Sequence, residues 1–189
     1  MSGLGRQPTL VVVSGPGGTG KTTLAHVVAG AIGCPAVCRD EIKEGMVHAT
    51  PGFLPSPGDP LTRRTVTTFF GVIELLLRAG VTLVAEAAFQ SPLWHSGLDP
   101  LADLAEIRVL RCTVSSELAR SRMTARLADN PRRGRAHADL DALGVPAAAA
   151  AAFDHVRLAA PTLSVDTTSG YRPALEDIVA FINEAPHEG

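Results

Sequence analysis

One segment near the start of the chain combines glycines, threonines and a lysine at a spacing that suits phosphate binding. It reads Gly15-Pro16-Gly17-Gly18-Thr19-Gly20-Lys21-Thr22 and fits the pattern G-x-x-x-x-G-K-[ST]. Glycines let consecutive backbone N–H groups turn inward around phosphate oxygens, and a following helix adds the positive end of its dipole. The Lys21 ammonium would reach the β- and γ-phosphates, and the Thr22 hydroxyl would ligate Mg²⁺. The segment therefore predicts a site for a nucleoside triphosphate, ATP with Mg²⁺.

Lysine is rare in this chain, which has two lysines, Lys21 and Lys43, and fifteen arginines. A lysine offers a compact, mobile point charge where arginine offers a planar fork, so its retention in the phosphate-binding segment has a physical reason. The residues of this segment that we expect to contact the nucleotide are Gly15, Gly17, Gly18, Thr19, Gly20, Lys21, Thr22 and Thr23.

Two carboxylates follow predicted strands and could serve a phosphoryl transfer. Asp40 lies two residues after the strand-like run Ala36–Cys38, and Glu86 directly follows the apolar run Val81–Ala85. Transfer to a hydroxyl needs a carboxylate that orients the hydroxyl and takes its proton, which is the role expected for Asp40. Glu86 could hold Mg²⁺, directly or through water, or contact the acceptor. The alternatives are a helix N-cap for Asp40 and an exposed strand-end charge for Glu86.

Alternating strand and helix patterns indicate how these residues are positioned. Short apolar runs predict strands at 9–14, 36–38, 81–85, 107–113 and 162–165, and helical periodicity predicts helices at 21–31, 40–47, 62–78, 116–126 and 174–183. Apolar strands separated by helices favour a parallel sheet covered on both faces, with ligands at the carboxyl ends of the strands. We therefore predict one α/β domain over residues 1–189, with its functional residues on one edge of the sheet.

The composition and the cysteines indicate which kinds of partner and which cellular compartment to expect. The formal net charge of −2 weighs against a polymeric nucleic-acid partner, although arginines between Arg120 and Arg135 could form a local basic groove. Cys34, Cys38 and Cys112 fit neither a disulfide framework nor a metal-ligand spacing. No apolar run has the length of a membrane span, and the N-terminal run lacks a cleavage site. These features predict a cytoplasmic protein without a membrane partner.

The phosphate-binding segment, taken together with Arg39-Asp40-Glu41-Ile42-Lys43, resembles the P-loop kinases that phosphorylate hydroxyl groups. That group includes polynucleotide 5′-kinases, chloramphenicol phosphotransferase, gluconate kinase, zeta toxins and AAA-type predicted kinases. The resemblance implies a P-loop NTPase fold like that of nucleoside monophosphate kinases, with a five-stranded parallel sheet. It implies that Asp40 accepts the proton of the attacking hydroxyl and that Lys43, one turn later, lies near the acceptor. Related kinases often carry aspartate at the position of Glu86, so the role of this glutamate stays open.

Arginines crowd into a short stretch after the fourth predicted strand: Arg120, Arg122, Arg126, Arg132, Arg133 and Arg135. In the resembling kinases such arginines form a lid, here about 120–137, that closes over the triphosphate and excludes water. We expect Arg122 and Arg126, one turn apart on a helix, to contact the transferring phosphoryl group, and Arg120 to be solvated. The alternative is a solvated charged face.

The residues after the last predicted strand, Asp166 and Thr167, lie where the resembling kinases often hold adenine, so they are predicted to bind the nucleotide. A helix-capping turn before Pro173 is the alternative. Five aromatic residues could line an acceptor pocket or pack in the core: Phe53, Phe69, Phe70, Phe89 and Trp94.

The predicted function is an ATP-dependent kinase that transfers the γ-phosphoryl group to a hydroxyl of a small molecule, such as an antibiotic, a sugar or a nucleoside. One alternative is a 5′-hydroxyl polynucleotide kinase. An alternative of another class is a nucleotide-binding switch or ATPase module. The third predicted strand ends in Glu86 rather than in the aspartate expected of such a switch, which favours the kinase.

Overall fold

The computed structural model describes residues 7–56, 59–89, 94–129, 136, 153–155 and 157–184. The strands are β1 (Thr9–Ser14), β2 (Ala36–Cys38), β3 (Leu83–Glu86), β4 (Glu106–Thr113) and β5 (Thr162–Asp166). The helices are α1 (Lys21–Ile32), α2 (Arg39–His48), α3 (Pro60–Arg78), α4 (His95–Leu98), α5 (Ser116–Asp129) and α6 (Leu175–Asn183), and a 3₁₀ helix covers Asp99–Leu101.

The five strands form one parallel sheet in the order β2-β3-β1-β4-β5. The central strand β1 is buried along its whole length, as expected of a strand covered on both faces. Its neighbours β3 and β4 are in register with it, with Val13 opposite Glu86 on one side and Leu110 on the other. The phosphate-binding segment Gly15–Thr22, which follows β1, therefore begins beside the carboxyl end of β3.

Helices cover both faces of the sheet, because alternate side chains of β1 point in opposite directions. Leu10 and Val12 pack in one core with Phe69 and Ile73 of α3, and on the other face Val11 and Val13 belong to a core that includes α1 and α6. The buried side chains of α3 repeat every four residues from Thr65 to Leu77, so one stripe of the helix is buried. The predicted five-stranded parallel sheet with helices on both faces is confirmed.

An aromatic cluster fills the core behind the end of β3. Phe69 and Phe89 are fully buried, and Phe70 and Trp94 are partly buried against the same core. Ring centroids lie 4.9 Å apart for Phe89 and Trp94 and 5.5 Å apart for Phe69 and Phe70, within the range of favourable edge-to-face contacts. These four residues pack in the core, which was one of the two expected roles.

Several predicted boundaries differ from the structure by one to three residues, and two of these differences bear on the site. The strand predicted at 81–85 runs from Leu83 to Glu86, so Glu86 is its last residue and is buried. The helix predicted from 62 begins at Pro60, because the Asp59 side chain accepts a hydrogen bond from the Thr62 amide and proline is tolerated in the first turn. None of the helices in the described part of the chain has the length and apolar composition needed to span a bilayer.

Candidate active site

The P-loop, residues Gly15–Thr22, joins β1 to α1 through a backbone that only glycine adopts readily. Gly18 and Gly20 both have φ of 78°, in the left-handed region, and Gly20 forms the N-cap of α1. The Thr19 hydroxyl is buried and donates to the Pro16 carbonyl at 2.8 Å, which braces the turn. The loop thus leads directly into the N-terminus of a twelve-residue helix, the arrangement that binds phosphate.

Helix α5 packs directly on the P-loop. A Cβ atom on Gly18 would clash with the backbone of Ala119, with its Cα at 2.9 Å, and one on Gly17 would lie 3.2 Å from Met123 Sδ. Gly18 is therefore required both by its positive φ and by this close approach. The contact joins the phosphate-binding loop to the helix on which Arg122 and Arg126 lie.

Lys21 and Thr22, the first residues of α1, meet the buried carboxylate of Glu86. The Thr22 hydroxyl donates to Glu86 Oε2 at 3.1 Å. The Lys21 ammonium lies 3.9 Å from Glu86 Oε1 and donates to the Pro16 carbonyl at 2.9 Å. Burial raises the pKa of Glu86, and the nearby charge of Asp40 raises it further, whereas Lys21 and the Thr22 hydrogen bond lower it. A buried carboxylate in this setting favours a cation.

The donor set of Thr22 and Glu86 fits Mg²⁺. Both ligand atoms are oxygens, which this ion prefers. Their separation of 3.1 Å is close to the spacing of about 2.9 Å between neighbouring ligands of an octahedral ion with bonds of about 2.05 Å. The predicted metal residues therefore lie together, and Thr23 is the exposed residue that follows them on α1.

Thr167 joins the loop after β5 to the P-loop. Its hydroxyl, largely buried, donates to the Thr19 carbonyl at 2.8 Å. The Arg122 guanidinium donates to the carbonyls of Thr167, at 2.8 Å, and of Thr168, at 3.1 Å. In the structure Arg122 therefore holds this loop against the P-loop. Its contact with the transferring phosphoryl group stays a prediction.

Asp166, the last residue of β5, stabilises the start of the same loop. Its carboxylate accepts a hydrogen bond from the Thr168 amide at 2.7 Å, and hydrogen bonds from Thr168 lower the pKa of this exposed group. The N-cap of α6 is Ala174, so Asp166 and Thr167 do not cap that helix. The capping alternative for this loop is therefore wrong.

Asp40 lies in the first turn of α2, and its side chain is 39% exposed. Arg39 Nη1 donates to Asp40 Oδ1 at 2.8 Å, which orients the carboxylate. The N-cap of the helix is Cys38, so the alternative that Asp40 is the N-cap is wrong. Cys38 lies opposite Glu86 in the register of β2 and β3, so Asp40, two residues later, lies at the same edge of the sheet as Glu86.

Lys43 has different partners from those that we expected. Its ammonium is buried and contacts Asp59 Oδ2 at 3.1 Å and the Thr62 hydroxyl at 2.8 Å. Asp59 is also the N-cap of α3. The lysine therefore fastens α2 to the beginning of α3 instead of presenting its charge to an acceptor.

The arginine-rich segment is only partly described. Arg126 lies on α5 one turn after Arg122 and is half-buried, and Arg120 is exposed as expected. Arg132, Arg133 and Arg135, with most of the predicted lid, lie outside the described residues.

Comparison with known proteins agrees with this fold. A family model described as an AAA domain matches residues 10–145, a range that begins in β1 and ends after α5. The chain belongs to this AAA-domain family. No curated protein sequence matches it.

Several solved kinase structures share the fold of this AAA-domain protein. A provisionally assigned kinase from Chloroflexus aurantiacus j-10-fl is 23% identical, with a TM-score of 0.78 over 94% of this chain and 97% of that chain. The APS kinase CysC of Mycobacterium tuberculosis, solved with AMPPNP and APS, is 14% identical, with a TM-score of 0.62 over 95% and 100%. A gluconokinase from Sinorhizobium meliloti 1021 is 20% identical, with a TM-score of 0.54 over 94% and 91%. The predicted resemblance to P-loop kinases in fold is confirmed.

Sequence reasoning missed two features of the AAA-domain site. Arg39 was given no role, although an arginine directly before a candidate base is a simple signal for an ion pair. The packing of Ala119 and Met123 on the P-loop had no signal, because a glycine needed for close approach looks the same in sequence as one needed for a turn.

Proposed function

We propose that this AAA-domain protein is a cytoplasmic kinase that transfers the γ-phosphoryl group of ATP to a hydroxyl group of a small molecule. The observation that carries the proposal is the meeting of Lys21 and Thr22 with the buried Glu86, with Asp40 at the same sheet edge. A P-loop alone supports nucleotide binding, and the added exposed carboxylate provides a base for an acceptor. The kinases among the similar structures support the same reaction class.

The residues at the P-loop, at the end of β3 and on α5 have separate roles in this proposal. Lys21 binds the β- and γ-phosphate oxygens, and Thr22 and Glu86 hold Mg²⁺. An ion held by these two residues would offset the negative charge of the triphosphate. Arg126 stabilises the charge that develops on the transferring phosphoryl group, and Arg122 keeps the loop after β5 in place.

Asp40 orients the acceptor and takes its proton. The acceptor oxygen attacks the γ-phosphorus, the bond from that phosphorus to the β–γ bridging oxygen breaks, and ADP leaves. The hydroxyl proton moves to the Asp40 carboxylate as this happens. The contact with Arg39 fixes the orientation of the carboxylate but leaves more than a third of the side chain accessible to an acceptor.

The partners of Lys43 favour a small acceptor over an oligonucleotide. In the resembling polynucleotide kinases a basic residue at this position lies near the acceptor, which carries phosphate groups. Here the Lys43 ammonium is buried against Asp59 and neutralised by it. The charge is thus not available to a phosphodiester backbone, and the net charge of −2 gives no general attraction for one.

The test is a screen followed by one substitution. Radiolabelled ATP is offered with small hydroxyl compounds and, separately, with 5′-hydroxyl oligonucleotides. With the best acceptor, Asp40→Asn should lower phosphorylation by the roughly 10²–10⁴-fold typical of losing a general base, while nucleotide affinity stays unchanged. Asp103→Asn, a matched change at an exposed aspartate before β4, should leave both unchanged.

Three other results would change the assignment. Phosphorylation of oligonucleotides alone would make the protein a 5′-hydroxyl polynucleotide kinase. Steady ATP hydrolysis that no acceptor alters would indicate a switch or ATPase module. Normal small-molecule phosphorylation by Asp40→Asn would remove Asp40 from the reaction and make Glu86 the next candidate for the base.

A further inference from the structure

Three side chains with metal-binding atoms meet between α1 and α2, and the proposed phosphoryl transfer uses none of them. His26 lies on α1, Cys38 ends β2 and Glu41 lies in the first turn of α2. Their ligand atoms all lie within 4.8 Å of one another. His26 Nε2 is 2.8 Å from Glu41 Oε1 and 3.7 Å from Cys38 Sγ.

We propose that His26, Cys38 and Glu41 form a zinc site, a property separate from the kinase activity proposed above. Zinc takes one sulfur, one nitrogen and one oxygen ligand readily, in tetrahedral geometry with bonds of about 2.0–2.3 Å. Ligand atoms in such a site are therefore about 3.5 Å apart. The distance between His26 Nε2 and Cys38 Sγ already matches, and the Glu41 carboxylate needs to withdraw from His26 by less than about 1 Å.

The surroundings allow an ion to enter and favour its charge. Cys38 is buried, whereas the side chains of His26 and Glu41 are 51% and 48% exposed, so the site opens to solvent on one side. Solvent can supply the fourth ligand as a water molecule. The carboxylates of Glu86, Glu41 and Asp40 act electrostatically on the Cys38 thiol. The same negative charges attract a divalent cation.

Binding of the ion displaces one proton. The Cys38 thiol releases its proton to solvent and binds as thiolate, and His26 binds through Nε2 with its remaining proton on Nδ1. The hydrogen bond between His26 and Glu41 is exchanged for two bonds to the ion. The positive ion offsets the negative charge that Cys38 gains.

Ligand chemistry separates this site from the magnesium position at the P-loop. Thr22 and Glu86 offer oxygen only, which suits Mg²⁺, whereas thiolate and imidazole select zinc and similar transition metals. Asp40 lies between Cys38 and Glu41 in the sequence, so an ion bound to these two ligands would fix the turn that carries the proposed base. It would also fasten this turn to α1, the helix that begins with Lys21.

The test uses Co²⁺ as a spectroscopic substitute for zinc in the full chain. The protein is freed of metal with a chelator, saturated with Mg²⁺ and ADP to fill the P-loop, and titrated with Co²⁺. One equivalent should produce a thiolate-to-cobalt charge-transfer band and the visible bands of four-coordinate cobalt, and one equivalent of Zn²⁺ should remove both. Cys38→Ser should abolish the charge-transfer band. His26→Gln and Glu41→Gln should each weaken Co²⁺ binding by at least about 10- to 100-fold.

Matched controls replace the same residue types elsewhere. Cys34→Ser and His48→Gln, a half-buried thiol and an exposed imidazole outside the cluster, should titrate like the wild type. A wild-type titration with no charge-transfer band would overturn the proposal, as would a band that survives Cys38→Ser. If Cys38→Ser fails to fold, His26→Gln decides the matter, because His26 is exposed on α1: unchanged Co²⁺ affinity in that variant would also overturn the zinc site.

Discussion

Replacing Arg122 with alanine should destabilise the protein by about 2 kcal/mol. The guanidinium donates to the Thr167 carbonyl at 2.8 Å and to the Thr168 carbonyl at 3.1 Å. A hydrogen bond that involves a charged group contributes about 1.5–3 kcal/mol, and we take the lower end because Arg122 is half-exposed, with a smaller share for the exposed Thr168. In a chain of this size each kcal/mol lowers Tm by about 2–4 °C, so the expected loss is about 4–8 °C.

Calorimetric melting of Arg122→Ala measures this loss directly. Arg120→Ala is the matched control, because Arg120 is exposed on the same helix and a surface substitution should change stability by no more than about 0.5 kcal/mol. Nucleotide affinity should fall in Arg122→Ala, because the loop after β5 loses its attachment to the P-loop. If Arg122→Ala melts like the control while kcat falls sharply, Arg122 contacts the transferring phosphoryl group and the reasoning from its hydrogen bonds is wrong.

Other substitutions address Glu86, Arg126 and Lys43. The raised pKa of Glu86 means that its carboxylate takes up a proton at a higher pH than an ordinary glutamate. Calorimetric titration should therefore show that Mg²⁺-dependent nucleotide binding weakens as the pH falls through that pKa. The variant Glu86→Gln should bind Mg²⁺ weakly at every pH, without this dependence. Arg126→Ala should lower kcat more than it raises the KM for ATP, because the residue acts in the transition state; a change in KM alone would make it a ground-state binder. Lys43→Ala should cost about 3–5 kcal/mol in urea unfolding, because it leaves Asp59 buried without its partner; a loss below about 1 kcal/mol would show that the pair is dispensable.

Local patterns were enough to predict the P-loop and the order of strands and helices. The pattern that Gly15–Thr22 fits requires particular residue types at adjacent positions, and β1 has only apolar residues between its ends. Both features can therefore be recognised from a few consecutive residues. The first residue of α3 depended on a side chain, because Asp59 caps the helix three residues before the predicted start at Thr62. The positions of Glu86 and Thr167 followed from the rule that parallel strands end at one edge.

Partners distant in sequence could not be predicted. Lys43 looked available to an acceptor because its partner, Asp59, lies beyond a loop that has no periodic pattern. Arg122 meets a loop 45 residues later in the chain, and His26 meets Cys38 across 12 residues that include the end of a helix and a strand. These contacts depend on how the elements pack. Neither the number of arginines nor the spacing of the cysteines in the sequence predicts them.

The aromatic cluster behind β3 gives the protein an optical reporter of its own. Trp94 is its single tryptophan and contacts Phe69, Phe70 and Phe89 through ring edges and faces. Intrinsic emission excited at the indole band therefore comes from one known place, beside the strand that ends in Glu86 and away from α1. Quenching or a wavelength shift on adding a compound would register rearrangement around that strand without a fluorescent label. The same signal would allow stopped-flow measurement of how quickly each substrate produces it.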